Sequence, residues 1–459
     1  MYKKQLFFVF FLIFPLIVGL ACSFTAKEPT PTQAPQVIVV TATPEPAIVA
    51  TEETVEEVTE PVGSGALQDL VLLDNIFWGQ DDGTVVTTFF LHNPKGDQVF
   101  EGIEYTVHLY DANGNEITSD YSTVRWIFPG QTFGIVLNFY LDDENTLVDS
   151  ISVDWEYDST FAADGFANPF TTSNTVFWQN GDYPMVTGII NNIDPDTHSN
   201  IRANIICYNN AGDVVGGGYT YIDFVPGSDY MGFAAYVDAF DSVASVEVFP
   251  TFTYSSLKYE GSDFWSEISV LNDYFYSTTY GSLVGGFEVQ SNIDTVLSNS
   301  VAVITFYDKD GNITSTGAFY INLLLPHQTI GISPWVLTPP DDAKTDSYDV
   351  LVLPGDYETD YELTENPFVV NSTAITGDYD NYVAVNFTNT YNKQVSELDV
   401  YVLLYDADGN IIGGGNDWTT EPIPAGGTME VEVWIDYSDS KTIASIQAWV
   451  VPNYWTEFE

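Results

Sequence analysis

The sequence predicts an all-β protein: four tandem two-sheet β-sandwiches behind an export leader and a disordered, Pro/Thr/Glu-rich linker. Three observations carry that expectation. A tyrosine-led turn motif occurs four times, with its tyrosines 98, 99 and 98 residues apart. The run leading into each tyrosine alternates with period two, as a half-buried strand does. Turn signals then recur every 8–12 residues, with no helical spacing of apolar positions. A repeat of this length is one folding unit rather than a solenoid turn.

The leader comes first. Lys3 and Lys4 precede an apolar run from Leu6 to Leu20, followed by Ala21-Cys22. A basic start, a run short for a membrane span and a small residue at its end describe an export signal over 1–21. The run Val18-Gly19-Leu20-Ala21-Cys22 resembles a bacterial lipoprotein signal, in which the cysteine becomes the lipidated first residue. That resemblance implies a membrane tether through Cys22 and a location outside the cytoplasm. Gly19 stands where such signals prefer leucine, so ordinary cleavage and a retained anchor are the alternatives.

Residues 22–66 are rich in Pro, Thr, Ala, Val and Glu, with Pro29-Thr30-Pro31-Thr32 and Pro44-Glu45-Pro46 as examples. Prolines deny backbone donors and hold the chain extended. The like charges of Glu52, Glu53, Glu56, Glu57 and Glu60 push it apart. The segment is expected to be a disordered tether.

The four copies are placed at 67–158, 167–257, 263–357 and 366–456. Counting back one, three, five and seven residues from each tyrosine gives Leu109, Val107, Tyr105, Ile103; Cys207, Ile205, Ala203, Ile201; Phe306, Ile304, Ala302, Ser300; and Leu404, Val402, Val400, Leu398. These should face a core. The positions between them include Glu104, Thr106, His108; Arg202, Asn204; Thr305; and Asp399, Tyr401, which should face water. Cys207, on the apolar phase, is expected to be a buried free thiol. One cysteine within four copies excludes a disulfide framework.

The motifs themselves read as hairpin turns: Tyr110-Asp111-Ala112-Asn113-Gly114-Asn115, Tyr208-Asn209-Asn210-Ala211-Gly212-Asp213, Tyr307-Asp308-Lys309-Asp310-Gly311-Asn312 and Tyr405-Asp406-Ala407-Asp408-Gly409-Asn410. Asp or Asn bonds its own backbone there, and glycine takes positive φ. A proline follows at Pro129, Pro226, Pro326 and Pro424, stopping the next strand. Upstream, each copy carries a strand ending at an asparagine: 84–93, 185–192, 282–292 and 382–389. The glycine runs 216–218 and 413–415 lie inside hairpins and are expected to mark bulges. The joints Ala167-Asn168-Pro169-Phe170 and Glu365-Asn366-Pro367-Phe368 are near-duplicates. Joints this short predict a semi-rigid rod.

Val107-His108-Leu109-Tyr110-Asp111, Thr305-Phe306-Tyr307-Asp308 and Leu403-Leu404-Tyr405-Asp406, with their Asp-Gly and Pro-Gly turns, resemble the FxLYD-type domain of bacterial lipoproteins. The second copy departs at Cys207-Tyr208-Asn209, and the third has Pro326-His327 in place of Pro-Gly. The likeness covers nearly all of 67–456. It implies an immunoglobulin-like β-sandwich outside the cell and brings no catalytic residues.

Chemistry is sparse. Asp308 with Asp310 and Asp406 with Asp408 resemble the opening of a calcium loop, since alternate oxygen ligands suit that ion. The glutamate expected at a twelfth position has no counterpart: Phe319 and Asp417 stand there. Plain turns are the first expectation and calcium the second; no other cofactor is expected. His92, His108, His198 and His327 occupy unmatched positions, so neither a zinc cluster nor a Cys–His pair is indicated. The aromatic pairs Phe77-Trp78, Phe177-Trp178 and Phe264-Trp265 could stack on sugar or protein, with Trp78, Trp178 and Trp265 as candidate ligand-binding residues. Packing at sandwich ends or joints is the alternative.

The net charge is −54, and removal of Lys3 and Lys4 with the leader makes the remainder more acidic still. Nucleic acid needs a basic surface to displace counterions, which excludes that class of partner. The expectation is a non-enzymatic, membrane-tethered extracytoplasmic repeat protein acting in adhesion, envelope organisation or display. A glycan- or protein-binding surface module is the alternative.

Overall fold

A computed structural model describes residues 38–40 and 70–459, apart from 74–75, 180–182, 262, 279–280, 342, 378–380 and 438–440. The leader, Cys22 and nearly all of the linker lie outside the described residues. Val37–Glu459 forms one compact unit.

The described chain is all-β, and its strands pair antiparallel into eight sheets. The sheets fall two to each expected copy. One, the motif sheet, centres on the strand that ends at the motif tyrosine: Gln98–Tyr110, Thr197–Tyr208, Val296–Tyr307 and Val395–Tyr405. On one side it pairs with the strand after the turn, and on the other with the strand that closes the copy. The companion sheet centres on the upstream strands Thr84–His92, Met185–Asn192, Leu283–Ser291 and Tyr382–Asn389. Each of these lies between the strand before it and the strand after the proline.

The alternation places the cores as expected. Ile103, Tyr105, Val107 and Leu109, and their counterparts in the other copies, are buried between the two sheets. Cys207 is buried among them, and burial pushes its thiol up to about 12. It is core material.

The opposite phase behaves differently. Arg202, Asn204, Thr305, Asp399 and Tyr401 are buried, although water was expected there. Only the first copy keeps an exposed residue at such a position, Glu104. The motif sheets of the last three copies each pack their outer face on the companion sheet of the copy before. Their strands are therefore covered on both sides, the condition that favours continuous rather than alternating apolar runs. Ile206, Val303 and Leu403 occupy the supposedly polar phase and carry that signal.

Two further expectations are corrected. In the third copy Ser291, not Asn292, ends the upstream strand in register: Ser291 N–H bonds Gln328 O as Asn192 N–H bonds Asp229 O. Within 22–66, Ile38–Val40 pairs antiparallel with Thr175–Phe177 instead of remaining without secondary structure. A β-branched triplet suits a strand added to an open sheet edge. Strands also run past all four expected copy ends, in Ser150–Ala162, Lys258–Tyr259, Asp356–Glu358 and Ser445–Phe458.

Candidate functional site

The turns are built by their own first residue. Asp308 Oδ1 accepts from the backbone N–H of Asp310 and of Asn312, each at 2.8 Å, and Oδ2 accepts from the Asn312 amide at 2.8 Å. Asp406 repeats this with Asp408 and Asn410, and Asp111 with Asn113 and Asn115. In the second copy Asn209 Oδ1 accepts from the backbone N–H groups of Ala211 and Asp213. A neutral amide does the same work there, so the turn needs an acceptor rather than a charge.

These bonds stabilise the ionised form. The Asn115 amide and N–H hold the Asp111 carboxyl at about 2, and the Asn410 groups likewise hold Asp406 below its ordinary range. Asp310 points to Lys309 at 3.0 Å, and Asp406 has Lys441 at 3.6 Å. The structure thus engages Asp308 and Asp406 with amides, and does not bring Asp310 or Asp408 to them as a ligand set. Among the described residues, no three His, Cys, Asp or Glu side chains gather as a metal would require.

The tryptophans part company. Trp178 is buried, donates from Nε1 to Thr187 Oγ1 at 2.9 Å, and packs near Leu337 and Ala343 of the third copy. Trp265 is half-buried between Phe264 and Phe224, against the second core. Both pack at joints, and Trp178 has its ring buried there. Trp78 remains exposed, while its neighbour Phe77 turns toward Phe240 of the second copy. Adjacent strand residues face opposite ways, which divides Phe77 from Trp78; Phe177 and Trp178 are both buried, and Phe264 and Trp265 are both half-buried.

The feature that single-residue motifs did not reveal is the junction between copies. At the first, Ile206 packs among Val86, Phe90 and Val136, Asn204 Oδ1 accepts from Val136 N–H at 3.2 Å, and Arg202 donates to Ser122 Oγ and Val136 O. At the second, Thr187 Oγ1 donates to Ile313 O at 2.8 Å. At the third, the motif tyrosine Tyr405 donates to Glu288 at 2.6 Å, and Asn322 donates to Asp399 at 2.9 Å.

Glycine makes the approach close enough. The backbone bonds at Asn93, Asn192, Ser291 and Asn389 align Gly134, Gly232 and Gly331 with Glu430 in the strand after each proline. A Cβ at Gly232 would lie 2.5 Å from Thr305 Cγ2, and one at Gly331 2.5 Å from Leu403 Cδ1 and against Trp449. At Gly134 it would meet Ile206 and Phe249. The fourth copy, with nothing stacked on it among the described residues, carries Glu430 there. The middle residues of the glycine runs serve the same end: a Cβ at Gly217 would press on Val136, and one at Gly414 on Ser333. The bulges lie beside these runs, at the register shifts after Cys207 and Leu404.

The two outermost faces are unlike the inner ones. On the first motif sheet Glu104, Thr106 and His108 stand opposite Glu156, Asp154 and Ser152. The second and fourth copies, whose motif sheets are covered, place Phe249 and Trp449 where the first has Asp154. Terminal units of a stack need such polar outer faces to stay soluble.

No protein-family model matches the chain, and no curated protein does.

Proposed function

We propose that this chain is a non-enzymatic extracytoplasmic repeat protein, tethered to a membrane through lipid on Cys22, that acts in adhesion, envelope organisation or display. The observation that supports this most is the use of its most polar repeated stretch. The motif residues close their own hairpins, and the outer faces of the last three motif strands are consumed in junctions between copies. Chemistry-bearing side chains are spent on joining copies rather than gathered round a substrate. The FxLYD-like turns and the lipoprotein-like leader point the same way.

Palmitate labelling of the chain expressed in a bacterium, beside a Cys22→Ser variant, tests the tether. Label on the wild type and none on the variant, with the protein cleaved by protease added outside intact spheroplasts, is the expected result. Unlabelled wild type recovered free in the medium would overturn it.

A further inference from the structure

We infer that the outer face of the first motif sheet, uncovered among the described residues, is a docking surface for an arginine-bearing segment of another protein. The three equivalent faces are all covered in the structure, each by the companion sheet of the preceding copy, so this face continues an interface the fold uses repeatedly. What sets it apart from the face of the second copy is a missing cation. In the second copy Arg202 lies over the ring of Tyr219. Strand register makes Glu104 the counterpart of Arg202 and Tyr121 that of Tyr219.

The first copy therefore keeps the aromatic and replaces the guanidinium with a carboxylate. Tyr121 is 72% exposed and shares a shallow hollow with Glu104, Thr106, Asp154, Trp155 and Glu156. A guanidinium entering from a partner would stack on Tyr121 and fork onto Glu104, the counterpart of Arg202, restoring the stack with the cation supplied from outside. Arginine suits this better than lysine, whose ammonium meets a ring only as a point charge and cannot lie flat on it or fork onto a carboxylate. A second copy of this chain is the wrong occupant, because its free companion sheet would bring Glu430 and Glu432 against Glu104 and Asp154. The inference stands whether or not Cys22 carries lipid.

The test is calorimetric titration of the full chain at about 0.15 M salt, which screens diffuse attraction to an acidic surface. The probe is a Gly-Arg-Gly-Arg-Gly peptide, with lysine and citrulline counterparts. The arginine peptide should bind about tenfold more tightly than the lysine one, the margin that flat stacking and a forked carboxylate contact add to a point charge, and the citrulline peptide should not bind. Tyr121→Ala and Glu104→Gln should each abolish that preference, while Glu430→Gln leaves it intact. Both tested side chains are exposed, so the fold survives their loss, and thermal midpoints check it. Equal binding of all cationic peptides, indifference to Tyr121→Ala, or no binding would each overturn the inference. So would a mass that rises with concentration and falls back in Tyr121→Ala, which would make a second copy the occupant.

Discussion

The guanidinium of Arg202 lies 4.2 Å from the centroid of the Tyr219 ring and donates a 2.8 Å hydrogen bond to Val136 O in the preceding copy. Only 3% of this residue is exposed, in a chain with very few cations. Its removal strands a buried carbonyl and a serine hydroxyl at the junction. Arg202→Ala should cost about 2–4 kcal/mol in chemical denaturation. Arg202→Lys should recover only part, since an ammonium keeps the charge and loses the stack. A loss equal to that of an exposed arginine would show that the contact contributes nothing.

Gly331 tests the junctions by volume rather than charge. A side chain there must displace Leu403 or the Trp449 ring. Gly331→Val should destabilise by about 1–3 kcal/mol through overpacking. Pairing it with Trp449→Ala should give less than the sum of the two single losses, because the smaller residue opens the space the valine needs. Strict additivity would mean that the two residues do not meet.

How much of this was legible follows from which partner each residue answers to. The strand phase of Val107, Ile205, Ile304 and Val402 responds to a core inside its own copy, and period-two alternation reports that directly. Asn204 and Thr305 answer to partners in another copy, 68 and 74 residues away, and polar side chains with distant partners look solvated in a local window. The apolar Ile206, Val303 and Leu403 among them were the available signal. Trp178 shows the same limit: Phe177 turns into the core of its own copy, and the junction with the third copy, invisible in a local window, buries Trp178 on the other side. The Asn292 register error arose because an exposed asparagine sits one residue past the position that Ser291 fills.

Asn389 ends its strand as a hub. Its amide donates to Lys393 O, Ile423 O and Pro424 O, and its Oδ1 accepts from Tyr391 N–H. Asn93 and Asn192 make the matching set. Asn389→Ala leaves several buried carbonyls without a donor and should cost about 2–3 kcal/mol. Asn389→Asp should be worse at neutral pH, where a carboxylate would face those carbonyls, and should improve on acidification. Equal stability of the two variants at every pH would contradict the hub.

The turn acceptors offer a milder contrast. Asn209 already does in the second copy what Asp406 does in the fourth. Asp406→Asn should therefore leave the thermal midpoint nearly unchanged, whereas Asp406→Ala should lower it by freeing the N–H groups of Asp408 and Asn410. A calcium titration separates the two expectations for this motif. If the turn needs only an acceptor, calcium shifts the wild type and the Asp308→Asn, Asp406→Asn double variant equally. A shift confined to the wild type would assign the ion to the turns.

His198 supplies a pH dependence of known sign. Its ring packs edge-on against Phe170 and Phe252, with Asp194 Oδ2 at 3.3 Å and Lys258 and Asp196 nearby. Burial outweighs the pull of Asp194 and holds the ring below its ordinary 6.5. The folded state then binds fewer protons than the unfolded one, so this contribution is complete above 6.5 and is lost as pH falls below it. Half-buried Asp223 and Asp238, and Glu247 beside Tyr208, titrate above their ordinary range through desolvation and act oppositely, favouring the fold as they take up protons. Comparison with His198→Gln isolates the imidazole from them. Between about pH 7 and about pH 5 the wild type should lose stability relative to the variant. A constant difference across that range would mean that the ring charges as readily folded as unfolded.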